Sequence, residues 1–479
     1  MPNFPLSTLL AAVTFAGILL EVHYAVDPAH GLDPASLRPA VAFHSDRASF
    51  VPLIEFPAPD IPVTLAIPDP NAPGWNPDTA ANLSLSSDFL FDNAGAMNHF
   101  YAALQALADG SRERPVRIVH YGDSPTTADL ITGDARELLQ DRFGDAGPGF
   151  ILIAKPWAWY GHRGVEVSGT GWTIDTAVGS MREAAYGLGG ASFTGPAGAE
   201  STIHLDARSS TSVEIQYMQQ PGGGTVDVSA DGALAGSVKT DGGDKRNGTA
   251  SVALPAGTRT VTLRVSGAPV QVFGVAFGSG SRGLTYDSIG LNGASTTVMS
   301  RAFSPEEWGD ALQHRDPDLV IINYGTNEAG FGSYVDKQYE TELRRAIARV
   351  RAALPKASIL IMSPMDRGAR EGDSISTMPA IPRLVAIQRR VAAELGCGFF
   401  NTFAAMGGEG TMERWYDGSP RMVAADLIHP TPHGARIVAQ SLTGQLLIGY
   451  ERYLQHHPRP VKSASPTVAS SSNQQQGVP

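Results

Sequence analysis

The sequence predicts an α/β protein: a parallel sheet covered by helices on both faces, with a β-sandwich inserted into it. Short apolar strands alternate with amphipathic helices from about residue 92 to 150 and again from 319 to 450. Strands buried on both faces read as such runs, and the helices between them make parallel crossovers. A stretch rich in Gly, Ser, Thr and Val, residues 161–281, interrupts this pattern with half-buried strands and Gly-rich turns. The α/β pattern flanks it on both sides, so the expected α/β domain is discontinuous, residues 91–160 and 282–455.

In chain order, residues 4–20 are apolar or small and uncharged, and Glu21 and Asp27 follow. This reads as a signal peptide or a membrane anchor occupying residues 1–26. The absence of a preceding Lys or Arg and of a small-x-small cleavage site weakens a cleavable signal, and the run is short for a span, so a buried core helix stays open as a third reading. Prolines recur from Pro28 to Pro77. They exclude regular helix, so residues 27–90 are expected to be an extended spacer, pinned by Phe50, Phe56 and Trp75. Residues 456–479 are polar, with a Ser and a Gln run, and are expected to be a disordered tail.

Within the α/β portion, apolar spacing predicts helices over 92–108, 128–143, 339–354, 381–395 and 431–450. Strands are predicted over 116–121, 319–324, 358–363 and 398–402. In the insertion, residues 202–205, 212–217, 225–228 and 260–265 alternate as half-buried strands do, with turns at Pro221-Gly222-Gly223-Gly224 and Asp241-Gly242-Gly243-Asp244.

A net charge of −11 with only 17% charged residues gives no general attraction to a phosphate backbone, so no nucleic-acid partner is expected. The single cysteine, Cys397, allows no intramolecular disulfide and no cysteine metal cluster. Asp and His are too scattered for a defined metal site, and no cofactor is expected.

Four short blocks carry chemistry. Gly122-Asp123-Ser124 follows a strand and precedes a helix, which places a hydroxyl at the carboxyl end of a parallel strand, where ligands bind. Asp426-Leu427-Ile428-His429 pairs an imidazole base with a carboxylate three residues earlier, able to bend back and orient the ring. Tyr324-Gly325-Thr326-Asn327-Glu328 offers the Asn327 amide to a developing oxyanion. Ile289-Gly290-Leu291-Asn292-Gly293 offers a backbone N–H to the same charge; Gly290 and Gly293 compete for that role and Gly293 is preferred. Each block alone also fits a helix cap or a turn.

Together and in this order, the blocks resemble the SGNH (GDSL-like) hydrolase superfamily. That resemblance implies a three-layer α/β/α, flavodoxin-like fold that hydrolyses ester-linked acyl groups. It implies Ser124 as nucleophile, His429 as base, Asp426 as its partner, and an oxyanion hole formed by Ser124, Gly293 and Asn327. The stretches His120-Tyr121-Gly122-Asp123-Ser124, Leu138-Leu139-Gln140 and Phe143-Gly144-Asp145-Ala146-Gly147-Pro148-Gly149-Phe150 further resemble bacterial peptidoglycan O-acetylesterases. That group carries an inserted sandwich similar to a carbohydrate-binding module. Pro125 departs from it, standing where histidine usually follows the serine. The resemblance implies an exported enzyme of the bacterial periplasm or cell envelope acting on an acetylated polysaccharide, peptidoglycan first and an exopolysaccharide second. An acetyltransferase, a lipase-type acylhydrolase and a non-catalytic glycan-binding protein are the alternatives.

Trp157 and Trp159 are candidate sugar platforms, or anchors for the insertion, and Arg367 a candidate contact for a sugar or carboxylate. Asp366 and Arg367 equally fit a role in holding their loop together. His120, His162 and His433 lie near motifs but lack a carboxylate at the telling spacing.

Overall fold

The structure, a computed structural model, describes residues 89–458 apart from 93–94, 180–182 and 207–209. The apolar segment 4–20, the proline-rich spacer and nearly all of the polar tail lie outside the described residues. Among those described, no helix is long and apolar enough to cross a membrane.

One six-stranded sheet organises the α/β portion. Its strands are β1 (Leu90–Phe91), β2 (Val116–Gly122), β3 (Leu284–Gly290), β4 (Leu319–Asn323), β5 (Ser358–Met362) and β6 (Gly398–Phe400). Their spatial order is β1-β6-β5-β4-β2-β3. β3, β2, β4, β5 and β6 are parallel; only β1 runs antiparallel, against β6. The parallel strands therefore have the flavodoxin-like order, in which the direction of winding switches between β2 and β4.

Successive residues of each strand feed opposite cores, as the two-residue period requires. Ile118, Ile321 and Leu360 join a core with α1 (Asn98–Ala108), α2 (Leu130–Phe143) and α6 (Pro432–His456). Val119, Val320 and Ile359 join the other, with Trp308 of α3 (Pro305–Arg315), Leu343 of α4 (Glu340–Ala353) and Leu384 of α5 (Ala380–Glu394). Helices thus cover both faces, and the fold is the three-layer α/β/α sandwich.

The inserted strands form two antiparallel sheets. One runs in the order Ala233–Lys239, Thr225–Ala230, Thr260–Ser266, Glu200–Leu205, Val165–Thr170. The other runs Arg246–Ala253, Ser212–Gln219, Val270–Gly278, Ala191–Gly195, Thr173–Thr176. Val228, Val261 and Leu263 of the first share one apolar core with Val213, Ile215 and Val272 of the second, which makes the pair a β-sandwich. Gly149–Ile151 also pairs with Val270–Gly278, so chain from before residue 161 enters this unit.

Several elements differ from the expected bounds. The first helix starts at Asn98 rather than 92, because Gly95 is left-handed (φ +67°) and the Asp92 carboxylate instead accepts from the Met97 N–H. The helix expected over 128–143 is broken at Asp129, also left-handed (φ +54°). Its buried carboxylate is held by Arg136, by the Thr132 hydroxyl and by the Arg163 N–H. The last helix runs on to His456. β3 has no counterpart among the expected strands: its Thr285, Asp287 and Ser288 are buried but polar. Asp287 pairs with Arg315 at 2.6 Å and accepts from the Phe150 N–H, while Ser288 bonds Thr132 at 2.7 Å. A fully buried strand with those residues lacks the apolar run that would reveal it.

Candidate active site

The carboxyl ends of β3, β2 and β4 stand side by side, and the four sequence blocks follow them or face them. Ser124 opens a one-turn helix, Ser124–Thr127, directly after β2; the Thr126 and Thr127 N–H groups close that turn on the Asp123 carbonyl at 3.1 and 3.0 Å. The serine therefore sits beside the β2/β4 switch point, where an open α/β sheet offers its crevice.

His429 reaches this point from the other end of the chain. Leu427 takes a left-handed conformation (φ +59°) and its buried side chain pins the turn. Asp426 then folds back on its own segment: Oδ1 accepts from the Ile428 and His429 N–H groups at 3.0 Å each, and Oδ2 lies 2.5 Å from His429 Nδ1. An ionised carboxylate only accepts, so Nδ1 carries the hydrogen and Nε2 presents its lone pair. Nε2 lies 2.7 Å from Ser124 Oγ and accepts from it. Thr431 caps the helix that follows, with Pro432 in its first turn.

The charges suit proton transfer. The hydrogen bond to Asp426 raises the His429 pKa above its ordinary value, against burial, and the charges of Asp426 and Asp123 add to the rise. Burial pushes Asp426 up, but the bonds from the His429 ring and from the His429 and Ile428 N–H groups outweigh it and hold the carboxyl below its ordinary value. The side chains of His429 and Asp426 remain 41% and 45% exposed, so water reaches the base.

The loops after β3 and β4 are tied to each other. Asn327 Nδ2 donates one hydrogen to the Ala294 carbonyl at 2.7 Å, which leaves its second N–H for another acceptor. Glu328 Oε1 accepts from both the N–H and the hydroxyl of Thr296 at 2.8 Å. Gly290 and Gly293 are placed differently. Gly290 is the last residue of β3 and lies against the serine turn: a Cβ there would stand 2.0 Å from the Thr127 nitrogen. Gly293 is exposed in the loop with φ +75° and open space around it.

Two acids inside the motifs went unassigned in the sequence. Asp123 is buried directly before the nucleophile, and burial pushes its pKa up to about 7, with the Thr326 hydrogen bond opposing and the Glu328 charge adding. Glu328 is also raised by burial, against its bonds to Thr296. Their position next to Ser124 and Asn327 was the available signal; their burial was not.

The remaining candidates separate. Trp159 is 55% exposed and its indole N–H donates to Asn292 Oδ1 at 2.8 Å, beside Gly293. Trp157 is half-buried and packs against the core. Arg367 donates from Nη1 to the Thr326 carbonyl at 2.6 Å, bracing the loop that carries Asn327. Asp366 accepts from the Thr377 hydroxyl, at the end of strand Ser374–Thr377, and from the Met412 N–H of helix Thr411–Asp417, so it ties its loop to two later elements. His120 is buried against the Tyr286 hydroxyl, and His162 between two backbone carbonyls; burial lowers both to about 4 and keeps them neutral. His433 is half-buried in the first turn of α6. Burial raises the Cys397 thiol to about 11, far from thiolate chemistry at neutral pH. Among the described residues no cluster of three His, Cys, Asp or Glu side chains could hold a metal.

Comparison with known proteins agrees with this geometry. Residues 268–437 match the GDSL-like lipase/acylhydrolase family. A solved peptidoglycan O-acetylesterase matches with 25% identity over 76% of this chain and 99% of its own, with a TM-score of 0.66. Residues 268–437 are a GDSL-like lipase/acylhydrolase domain, and the chain is a carboxylic ester hydrolase of the SGNH fold. The family match holds Gly293, Asn327, Asp426 and His429, whereas the segment bearing Ser124 lies upstream of the inserted strands. The hydrolase scaffold is thus interrupted in sequence but continuous in its sheet. An acetylxylan esterase from Geobacillus stearothermophilus matches at 23% identity over 35% of this chain and 73% of its own, with a TM-score of 0.27, too slight a superposition to bear on this SGNH hydrolase. No curated protein matches the chain by sequence.

Proposed function

We propose that this hydrolase is an exported serine esterase that removes O-acetyl groups from a cell-envelope polysaccharide, with peptidoglycan the first candidate. The observation that carries the reading is the 2.7 Å contact between Ser124 Oγ and His429 Nε2 at the switch point of the sheet. Likeness over nearly the whole length of a peptidoglycan O-acetylesterase supports the choice of polymer. The apolar segment 4–20 supports export, to the periplasm or the envelope, with or without retention as a membrane anchor.

In the proposed cycle, Ser124 Oγ attacks the acetyl carbonyl carbon as His429 Nε2 takes the hydroxyl proton. The carbonyl oxygen becomes an oxyanion, held by the Ser124 and Gly293 N–H groups and the free N–H of Asn327. The tetrahedral centre collapses, the bond to the sugar oxygen breaks, and that oxygen leaves with the proton from Nε2. Water then attacks the acetyl-serine, giving its proton to Nε2; collapse releases acetate and returns the proton to Ser124. Asp426 keeps the imidazole in the required tautomer and stabilises its charged form throughout. The exposure of His429 and Asp426 favours water as the acyl acceptor over a second sugar.

The test is acetate release from O-acetylated peptidoglycan by purified protein, with S124A as control. Release by the wild type and none by S124A is expected. Transfer of acetyl to a chitooligosaccharide in place of release identifies a transferase instead, and full release by S124A contradicts the scheme.

A further inference from the structure

Among the described residues, five large apolar side chains are more than a third exposed, and two of them are aromatic: Trp159 at 55% and Phe331 at 68%. Phe331 lies on the loop after β4 that bears Asn327, and Trp159, in the segment that follows Gly149–Ile151, is tied to the loop after β3 that bears Gly293. Trp159 is fastened through its indole N–H to Asn292, the residue before Gly293, in the loop after β3. Phe331 stands four residues after Asn327 in the loop after β4, its backbone N–H closed on the Glu328 carbonyl at 2.8 Å. The sheet order β3-β2-β4 puts Ser124 between these loops. Two strand spacings separate their roots by about 10 Å.

Among the described residues, other large rings are buried or half-buried, and Phe100, Tyr121, Phe150, Phe193, Tyr286 and Trp308 are essentially fully so. An exposed Trp with its polar edge already satisfied offers only a face, and a face alone suits a flat apolar surface. The site groups on and beside these loops are polar: Asn292, Asn327, Ser124 and His429. An acyl chain needs a continuous apolar trench. A pyranose ring has C–H faces that stack on aromatic rings and hydroxyls that need hydrogen-bonding partners beside them. We propose that Trp159 and Phe331 are two sugar-stacking walls of a glycan cleft, which hold adjacent pyranose rings of the polymer on either side of Ser124. The assignment rests on the proposed esterase function for its substrate class, and goes beyond it in naming the subsites.

The test is binding measured without turnover. On the S124A background, O-acetylated chitotetraose is titrated by calorimetry into S124A, S124A/W159A, S124A/F331A and the triple variant. Loss of either ring is expected to weaken binding about tenfold, the worth of one stacking contact with its buried area. Loss of both is expected to multiply the effects, because the rings sit on separate loops. S124A/W159F restores most of the affinity, since it keeps a ring. Unchanged affinity in both single-ring variants, or no binding of the oligosaccharide by S124A, overturns the proposal. So does a larger loss on 4-nitrophenyl octanoate than on the oligosaccharide when W159A and F331A are made in the active enzyme, because the rings then serve an acyl chain. The two readings fail separately: acetate release with ring-independent affinity removes the cleft alone, whereas ring-dependent affinity without acetate release removes the esterase assignment alone.

Discussion

Gly290→Ala is expected to disable the enzyme without touching any group that does chemistry. The added Cβ would lie 2.0 Å from the Thr127 nitrogen and 2.3 Å from the Thr126 carbonyl carbon and Thr127 Cα. Such contacts settle at about 3.5–4.0 Å, so the surfaces must part by about 1.5 Å. Both sides are backbone, one the end of a strand paired along its length with β2, the other the turn that carries Ser124. The turn is the shorter and less anchored element and takes the displacement. The Ser124–His429 contact at 2.7 Å then opens to about 4 Å, beyond hydrogen-bonding reach. A misplacement of about 1 Å at a reacting centre can cost about 10²-fold, and overpacking about 1–3 kcal/mol of stability. Gly293→Ala is the contrast. Its nearest neighbour is Val178 Cγ1 at 3.9 Å, so the cost is the left-handed backbone alone, about 1 kcal/mol, and the N–H remains. The assay is kcat/KM on 4-nitrophenyl acetate with urea unfolding of each variant. A G290A enzyme within twofold of wild type, or one less impaired than G293A, refutes the packing argument.

Other consequences follow from the same geometry. Asn327→Ala removes the proposed oxyanion donor and the tie to Ala294, and kcat should fall about 10²–10³-fold with little change in KM, read by steady-state kinetics. His429 acts as a base only when neutral, and its pKa is raised; kcat/KM should therefore fall with decreasing pH through an apparent pKa above 6.5. In Asp426→Asn that acid limb should move to lower pH while the plateau drops, as a pH-rate profile reveals. The raised pKa of Asp123 means the folded state holds its proton where the unfolded chain has lost it. That contribution is complete below the unfolded value and disappears as pH rises through about 7, so the stability of D123N relative to wild type should increase between pH 5 and pH 8 in denaturant melts. A constant difference across that range contradicts the buried-acid assignment.

Parts of this protein are plain in its sequence for physical reasons. β4 and β5 are apolar on both faces because helices cover both, and such runs have few other readings. The four motif blocks follow strands or precede a helix, so the topology of a parallel sheet brings their loops to one edge. Other parts depend on contacts that no local pattern carries. β3 is polar and buried because Asp287 meets Arg315 and Ser288 meets Thr132, partners far along the chain. Asp129 breaks a helical pattern because Arg136 and the Arg163 N–H reward its left-handed position. Gly290 and Gly293 are alike as letters; only the approach of the serine turn tells them apart. The paired strand Gly149–Ile151 belongs with the sandwich through a register that the flanking residues do not announce.

The central claim is that acyl transfer passes through the Ser124 hydroxyl. Rapid quenching of the enzyme with 4-nitrophenyl acetate, followed by peptide mass spectrometry, tests it most directly. The account predicts an acetyl group on the peptide carrying Ser124, accumulating in H429A if acylation persists there, and absent from S124A. Steady acetate release with no acyl group on Ser124 at any quench time, or an acetyl group on another residue that turns over at the catalytic rate, contradicts it.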